Sequence, residues 1–233
     1  MPPSNKNLPN YPRGKPKPPR NTGMIVVITV AVVAVLGILG AIIATQVGKN
    51  DGTPATSEAG APLEQTRPVT VDGQPLPADA AANPDPAVGM TPPTLSGAAF
   101  DGTPVTIDPG DGTPKLVMFF AHWCPHCQAE VPRVVQWINE GKVPAGVDLY
   151  GVSTSVAESR GNYPPSKWLA DDGWTAPTIA DSENSDAAQA WGLQAFPYFV
   201  VVDKDGKVVA RANGELNEDA FTQLVAQVAP PAG

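Results

Sequence analysis

Lys115-Leu-Val-Met-Phe-Phe-Ala-His-Trp-Cys-Pro-His-Cys127 is the stretch on which the fold turns. Its first half, Lys115–Phe120 (KLVMFF), is a continuous apolar run, the pattern of a central strand buried on both faces. After Cys124 the period changes. Val131, Val134, Val135 and Ile138 recur at i, i+3, i+4 and i+7, which gives one apolar helical face, and Gly141 follows. A strand therefore runs through a short turn directly into a helix. Both cysteines of the chain (Cys124, Cys127) and both histidines (His122, His126) lie within six positions of that turn.

Two thiols at i and i+3 in the first helical turn can close a disulfide. The first of them meets the partial positive charge and free N–H groups of the helix N-terminus. That field favours thiolate, the nucleophile in disulfide exchange. Pro125 suits the first helical position because its missing N–H needs no partner there. His126 lies between the thiols and can stabilise a Cys124 thiolate further. Two other uses of the pair stay open. A plain stabilising disulfide is one, although so short a loop constrains the unfolded chain little. Half of a metal site completed by His122 and His126 is the other, since two cysteines exclude a four-cysteine zinc site.

Working outward, Thr94–Phe100 and Val105–Ile107 flank Asp101-Gly102 as a hairpin. Val147–Val152 reads as a second buried strand, and Thr178–Ala180 as a third between short helices at Ser166–Ala170 and Asp186–Trp191. Tyr198–Val202 and Val208–Arg211 are strands joined across Asp205-Gly206. Asn217 caps a last helix with Phe221, Leu224, Val225 and Val228 on its inner face. The order β-β, βαβα, ββα argues for α/β layers around one sheet, built from residues 91–229 and followed by a tail at 230–233.

The rest of the 233 residues is differently composed. Residues 1–23 hold five of the 15 Lys+Arg and none of the 23 Asp+Glu. The formal net charge of −8 thus hides a strongly acidic body, a poor match for nucleic acid. Residues 24–47 (MIVVITVAVVAVLGILGAIIATQV) carry no charge and as a helix would span about 36 Å, enough to cross a membrane. A cleaved signal peptide has a shorter apolar core and a better small-residue site than Ala41-Ile-Ile-Ala44. The expectation is a retained single-pass anchor, with residues 1–23 cytoplasmic and everything after Val47 exported. Residues 48–90 contain seven prolines and few large apolar groups, and read as an extended tether with one strand-like piece, Val69-Thr70-Val71. Asp-Gly-Thr-Pro occurs at 51–54, 101–104 and 111–114, read as turns.

With these residues in view, the chain resembles the thioredoxin superfamily, and within it the bacterial membrane-anchored, extracytoplasmic TlpA/ResA-type proteins. The resemblance covers roughly Thr91–Val228. It rests on Trp123-Cys124-Pro125-His126-Cys127, Glu130 and Pro132, Ala195-Phe196-Pro197, and Val201–Gly206 (VVDKDG). It implies a thioredoxin-like central sheet flanked by helices. It also implies Cys124 as attacking cysteine, Cys127 as resolving cysteine, and Pro197 as a cis-proline facing them. Phe196 and Pro197 would receive an extended substrate segment, with Trp123 as a packing lid. Met118 stands where thioredoxins carry a buried acid, so that proton acceptor is missing. Glu130, one turn beyond Cys127, is either its substitute or a solvated helix residue. Pro132 is expected to kink the helix, and His122 is expected at the surface.

The function implied is extracytoplasmic thiol–disulfide exchange with exported proteins. No cofactor is implied beyond the Cys124–Cys127 pair, and a membrane redox partner would reset it. The Pro-His dipeptide matches DsbA-type oxidases and leans the reading towards oxidation. The TlpA/ResA likeness offers reduction instead, for example in cytochrome c maturation. A peroxiredoxin-like peroxidase would carry Thr where Ala121 stands. A copper-binding module would space its cysteines as CxxxC, with a distant His.

Overall fold

The computed structural model describes residues 63–78 and 83–228, and everything said of structure concerns those residues. The expected membrane span at 24–47 and the first Asp-Gly-Thr-Pro fall outside them. Among the described residues no helix is long and apolar enough to cross a membrane.

Eight strands form two sheets. β1 (Thr70–Asp72), β2 (Thr94–Ala98) and β3 (Pro104–Ile107) make an antiparallel three-stranded sheet. β4 (Lys115–Phe120), β5 (Asp148–Ser153), β6 (Thr178–Ala180), β7 (Tyr198–Val202) and β8 (Val208–Asn213) form a mixed sheet in the order β6-β5-β4-β7-β8. β4, β5 and β6 are parallel, whereas β7 and β8 run antiparallel to their neighbours. Four helices accompany them: α1 (Pro125–Asn139), α2 (Pro165–Asp171), α3 (Asp186–Ala190) and α4 (Glu218–Ala226).

β4 is central and wholly buried, as its apolar run requires. Its side chains alternate between two cores, because successive strand residues point to opposite faces. Leu116, Met118 and Phe120 join Val131, Val134 and Trp137 of α1 and Phe221, Leu224 and Val225 of α4. Trp137 and Phe221 stack with ring centroids 4.9 Å apart, which ties α1 to α4. On the other face, Val117 and Phe119 pack with Leu95 and Ile107 of the smaller sheet and with Trp191 after α3. The caps follow the sequence rules: Asn217 accepts from Ala220 N–H at 2.8 Å, as a good N-cap should. Both described Asp-Gly-Thr-Pro turns close alike, with Asp101 and Asp111 each accepting the backbone N–H two residues on at 2.9 Å.

One expectation is corrected. Residues 63–78 and 83–90 are part of the fold and not a free tether. β1 pairs with β2, and Leu76 and Ala87 are buried in the second core. Leu76 N–H donates to Ala190 O at 2.9 Å, Gly89 N–H donates to Val208 O at 2.8 Å, and Val208 N–H donates to Met90 O at 2.9 Å across the β8 edge. Asp85 holds Arg211 through Nε at 2.8 Å and also through Nη2, while Arg211 Nη1 reaches Pro77 O at 2.7 Å. Gly192, at φ +73°, lets this segment approach, since a Cβ there would meet Pro77 O at 2.7 Å. The composition is polar and proline-rich, but long-range backbone bonds and one ion pair hold it. β8 also runs to Asn213, past the expected Arg211.

Candidate active site

β4 delivers the chain to Ala121, and Cys124 N–H turns back to Ala121 O at 3.0 Å. Cys124 is the N-cap of α1 with extended backbone (φ −78°, ψ 119°), and Pro125 occupies the first turn. The two cysteines are free thiols. Cys124 is 6% exposed and Cys127 fully buried, so only one sulfur is near the surface. Burial pushes the Cys127 thiol well up, reinforced by the neighbouring Cys124 and Glu130.

The rim of the site comes from three other segments. Trp123 donates Nε1–H to Ser155 O at 2.7 Å, meets the Phe196 ring edge-to-face at 5.9 Å, and carries Arg160 over its face at 4.0 Å. The Phe196–Pro197 bond is cis, and Pro197 O accepts from Gly214 N–H at 2.8 Å. Trp123 therefore joins the β5–α2 loop to the loop before β7.

Met118 is buried and apolar behind the cysteines. The acid on this side of the sheet is Glu130. It is fully buried, not a solvated helix residue. Its Oε1 accepts from Leu216 N–H at 2.9 Å and its Oε2 lies 2.7 Å from Arg133 Nη2. Burial raises its pKa, with Leu216 and Arg133 opposing. Helix α1 continues through Pro132.

The histidines part company. His122, expected at the surface, is fully buried. Nδ1 lies 2.8 Å from Gly161 O, and Nε2 accepts Ala157 N–H at 3.2 Å, which fixes the neutral Nδ1–H form. Burial lowers its pKa, and the nearby Arg160 charge adds to this. His122 thus fastens the loop of residues 155–163 from beneath, with Tyr163 edge-on at 5.9 Å. His126 is exposed and meets Glu215 Oε1 through Nδ1 at 2.6 Å.

With this geometry established, comparison with known proteins places the chain. The family model described as Redoxin matches residues 73–228, more than half of its length. The chain belongs to the redoxin family. This redoxin is 28% identical to the thiol:disulfide interchange protein HelX of Rhodobacter capsulatus over 115 residues, 49% of this chain and 60% of the relative. The match therefore spans less than two thirds of HelX. It is 27% identical over 146 residues to the thiol:disulfide interchange protein DsbE homolog of Paracoccus denitrificans, 62% of this chain and 76% of that one. Among solved structures it is similar to the thioredoxin domain of a thiol-disulfide oxidoreductase from Bacteroides vulgatus. That likeness has a TM-score of 0.49 and 24% identity, and covers 62% of this chain and 99% of the other.

The redoxin domain brings Trp123, the cysteines and Phe196 to one core cluster and buries Glu130 one helical turn beyond Cys127. It adds residues that the sequence did not single out. Arg133 links Glu130 to Glu215, and Glu215 reaches His126 across 89 positions of chain. Ser155 and Arg160 hold Trp123 from the far side. Helical spacing could have pointed to Arg133, three residues after Glu130. Nothing local marks Glu215, Ser155 or Arg160.

Proposed function

We propose that this redoxin is a thiol–disulfide oxidoreductase of exported proteins, anchored in the cell membrane by residues 24–47 with its catalytic domain outside. The observation that carries the reading is one slightly exposed thiol at the N-cap of α1, backed by a fully buried thiol and a buried carboxyl one turn on. That asymmetry assigns attack to Cys124 and resolution to Cys127.

When the enzyme reduces a substrate, Cys124 thiolate attacks a substrate disulfide. A mixed disulfide forms and one substrate thiolate leaves. Cys127 then gives its proton to Glu130 and attacks Cys124 Sγ. The enzyme disulfide forms, and the second substrate sulfur leaves as thiolate and takes up a proton. Two electrons pass from enzyme to substrate. Oxidation of a substrate dithiol is the same path reversed. Burial raises the pKa of Glu130, which makes it a stronger base towards the buried thiol than an exposed carboxylate would be. Phe196 and Pro197 receive the substrate segment, and Trp123 closes one side.

Oxidation is the favoured direction. His126, two residues after Cys124, is held by Glu215 Oε1 at 2.6 Å, and an imidazole that stabilises the Cys124 thiolate stabilises the dithiol form. The relatives are named for thiol:disulfide interchange without a direction. A membrane partner would reset the pair. The test is the reduction potential of Cys124–Cys127 against glutathione. A value near the DsbA end, about −120 mV, supports oxidation, and one near about −270 mV supports reduction. No measurable exchange would overturn the assignment.

A further inference from the structure

His126 Nδ1 and Glu215 Oε1 are 2.6 Å apart on a surface where such pairs usually contribute little, because ordering two mobile side chains offsets the attraction. Here that ordering is largely done already. The other carboxylate oxygen of Glu215 pairs with Arg133 Nη2. Arg133 is held in turn by buried Glu130 at 2.7 Å, and its Nε donates to Ala129 O at 3.1 Å. The backbone on either side of Glu215 is also pinned. Gly214 N–H donates to Pro197 O at 2.8 Å, and Leu216 N–H donates to Glu130 Oε1 at 2.9 Å. Gly214 has φ +82°, which lets the β8–α4 loop turn at that point. Glu215 is therefore presented by fixed backbone between the loop of Pro197 and helix α1.

A carboxylate held so can set the tautomer of the imidazole it meets. When Nδ1–H donates to Glu215 Oε1, Nε2 is left as the free acceptor nitrogen. Nucleophile, base and a third group that orients the base form a familiar arrangement for an activated thiol. We propose that Glu215 is the positioning residue of this site, holding His126 in its Nδ1–H form so that Nε2 is available to Cys124. The proposal deepens the disulfide-exchange reading and rests on it for its purpose, though not for the Glu215–His126 contact itself.

The experiment uses the full chain in detergent, with imidazole ¹⁵N NMR and Cys124 alkylation as readouts. Neutral His126 is expected in the Nδ1–H form. Glu215→Ala moves it towards the Nε2–H form that free imidazole favours, whereas Glu215→Gln, whose carbonyl still accepts, keeps Nδ1–H. Glu215→Ser stands in for Glu215→Ala should the latter lose the wild-type circular dichroism. In a Cys127→Ser background, which leaves one thiol, Glu215→Ala slows iodoacetamide alkylation of Cys124 roughly 3-fold, the size of one exposed charge pair. With His126→Ser also present, Glu215→Ala changes nothing further. An unchanged tautomer in a folded Glu215→Ala protein overturns the proposal. An alkylation effect of equal size with His126→Ser present overturns it as well. Absence of any exchange between wild type and glutathione would instead defeat the oxidoreductase reading, and the tautomer would still decide the contact.

Discussion

The backbone N–H of Leu216 donates to Glu130 Oε1 at 2.9 Å, so a buried carboxyl one turn beyond Cys127 is anchored by a loop 86 residues away in sequence. That bond, with Arg133 on the other oxygen, holds a fully buried acid on α1. Its buried place beside a buried thiol motivates the first prediction.

Glu130→Gln removes the proton acceptor proposed for Cys127 while keeping the bond from Leu216. Mixed disulfides on Cys124 should then resolve more slowly, by about 10²-fold, the lower range for loss of a positioned acid–base group. Acid-quenched time courses with a model disulfide peptide would measure this. Resolution at the wild-type rate would remove Glu130 from the mechanism.

Cys127 should resist alkylation at pH 8, because burial both shields it and raises its pKa. Mass mapping of the briefly alkylated, reduced protein should find label on Cys124. Cys127→Ser should accumulate mixed disulfides through Cys124, since the resolving thiol is gone. Label arriving first on Cys127 would reverse the two roles.

His122 supplies a pH dependence whose sign is fixed. Its folded pKa lies below the unfolded value of about 6.5, so between the two the unfolded chain binds more protons. Its contribution is fully present above about pH 6.5 and is lost as pH falls from there through the folded value. Protonation also places a donor against Ala157 N–H. Urea midpoints of the wild type should drop across that window, and those of His122→Asn should drop less. Parallel curves would exclude His122 as the origin.

Arg211→Met should cost about 3 kcal/mol, because it leaves Asp85 unpaired where it is nearly buried. Lys204→Ala breaks an exposed pair of 69% and 68% side-chain accessibility and should leave the urea midpoint nearly unchanged. Urea unfolding compares them directly. Equal costs would mean that the Asp85–Arg211 clasp does not hold residues 83–90 in place.

A chain beginning at Thr91 should be destabilised against one beginning at Leu63, since it loses β1, Leu76, Ala87 and the Asp85 clasp. Leu76→Ala alone should cost about 2–5 kcal/mol, as for other large-to-small changes in a core. Thermal unfolding of the three proteins would settle whether the segment belongs to the fold. Equal midpoints would return the boundary to Thr91.

The sequence by itself determined every strand and helix whose evidence is periodic. KLVMFF could only be a strand buried on both faces, and the apolar stripe that begins at Val131 could only be one face of a helix. Because the thiols sit where one becomes the other, the strand-to-helix turn that carries the two cysteines was legible too. Tertiary structure decided what depends on partners distant in the chain. Residues 63–78 and 83–90 carry no sustained apolar period, so their place came from pairing β1 with β2 and from Arg211 reaching Asp85 across 126 positions. Local pattern could not tell His122 from His126. One became a neutral buried clasp because the loop of residues 155–163 folds over it, and the other stayed exposed with a carboxylate brought from the β8–α4 loop. Burial and charge pairing are set by the whole packed chain, and they decide what an ionisable side chain can do.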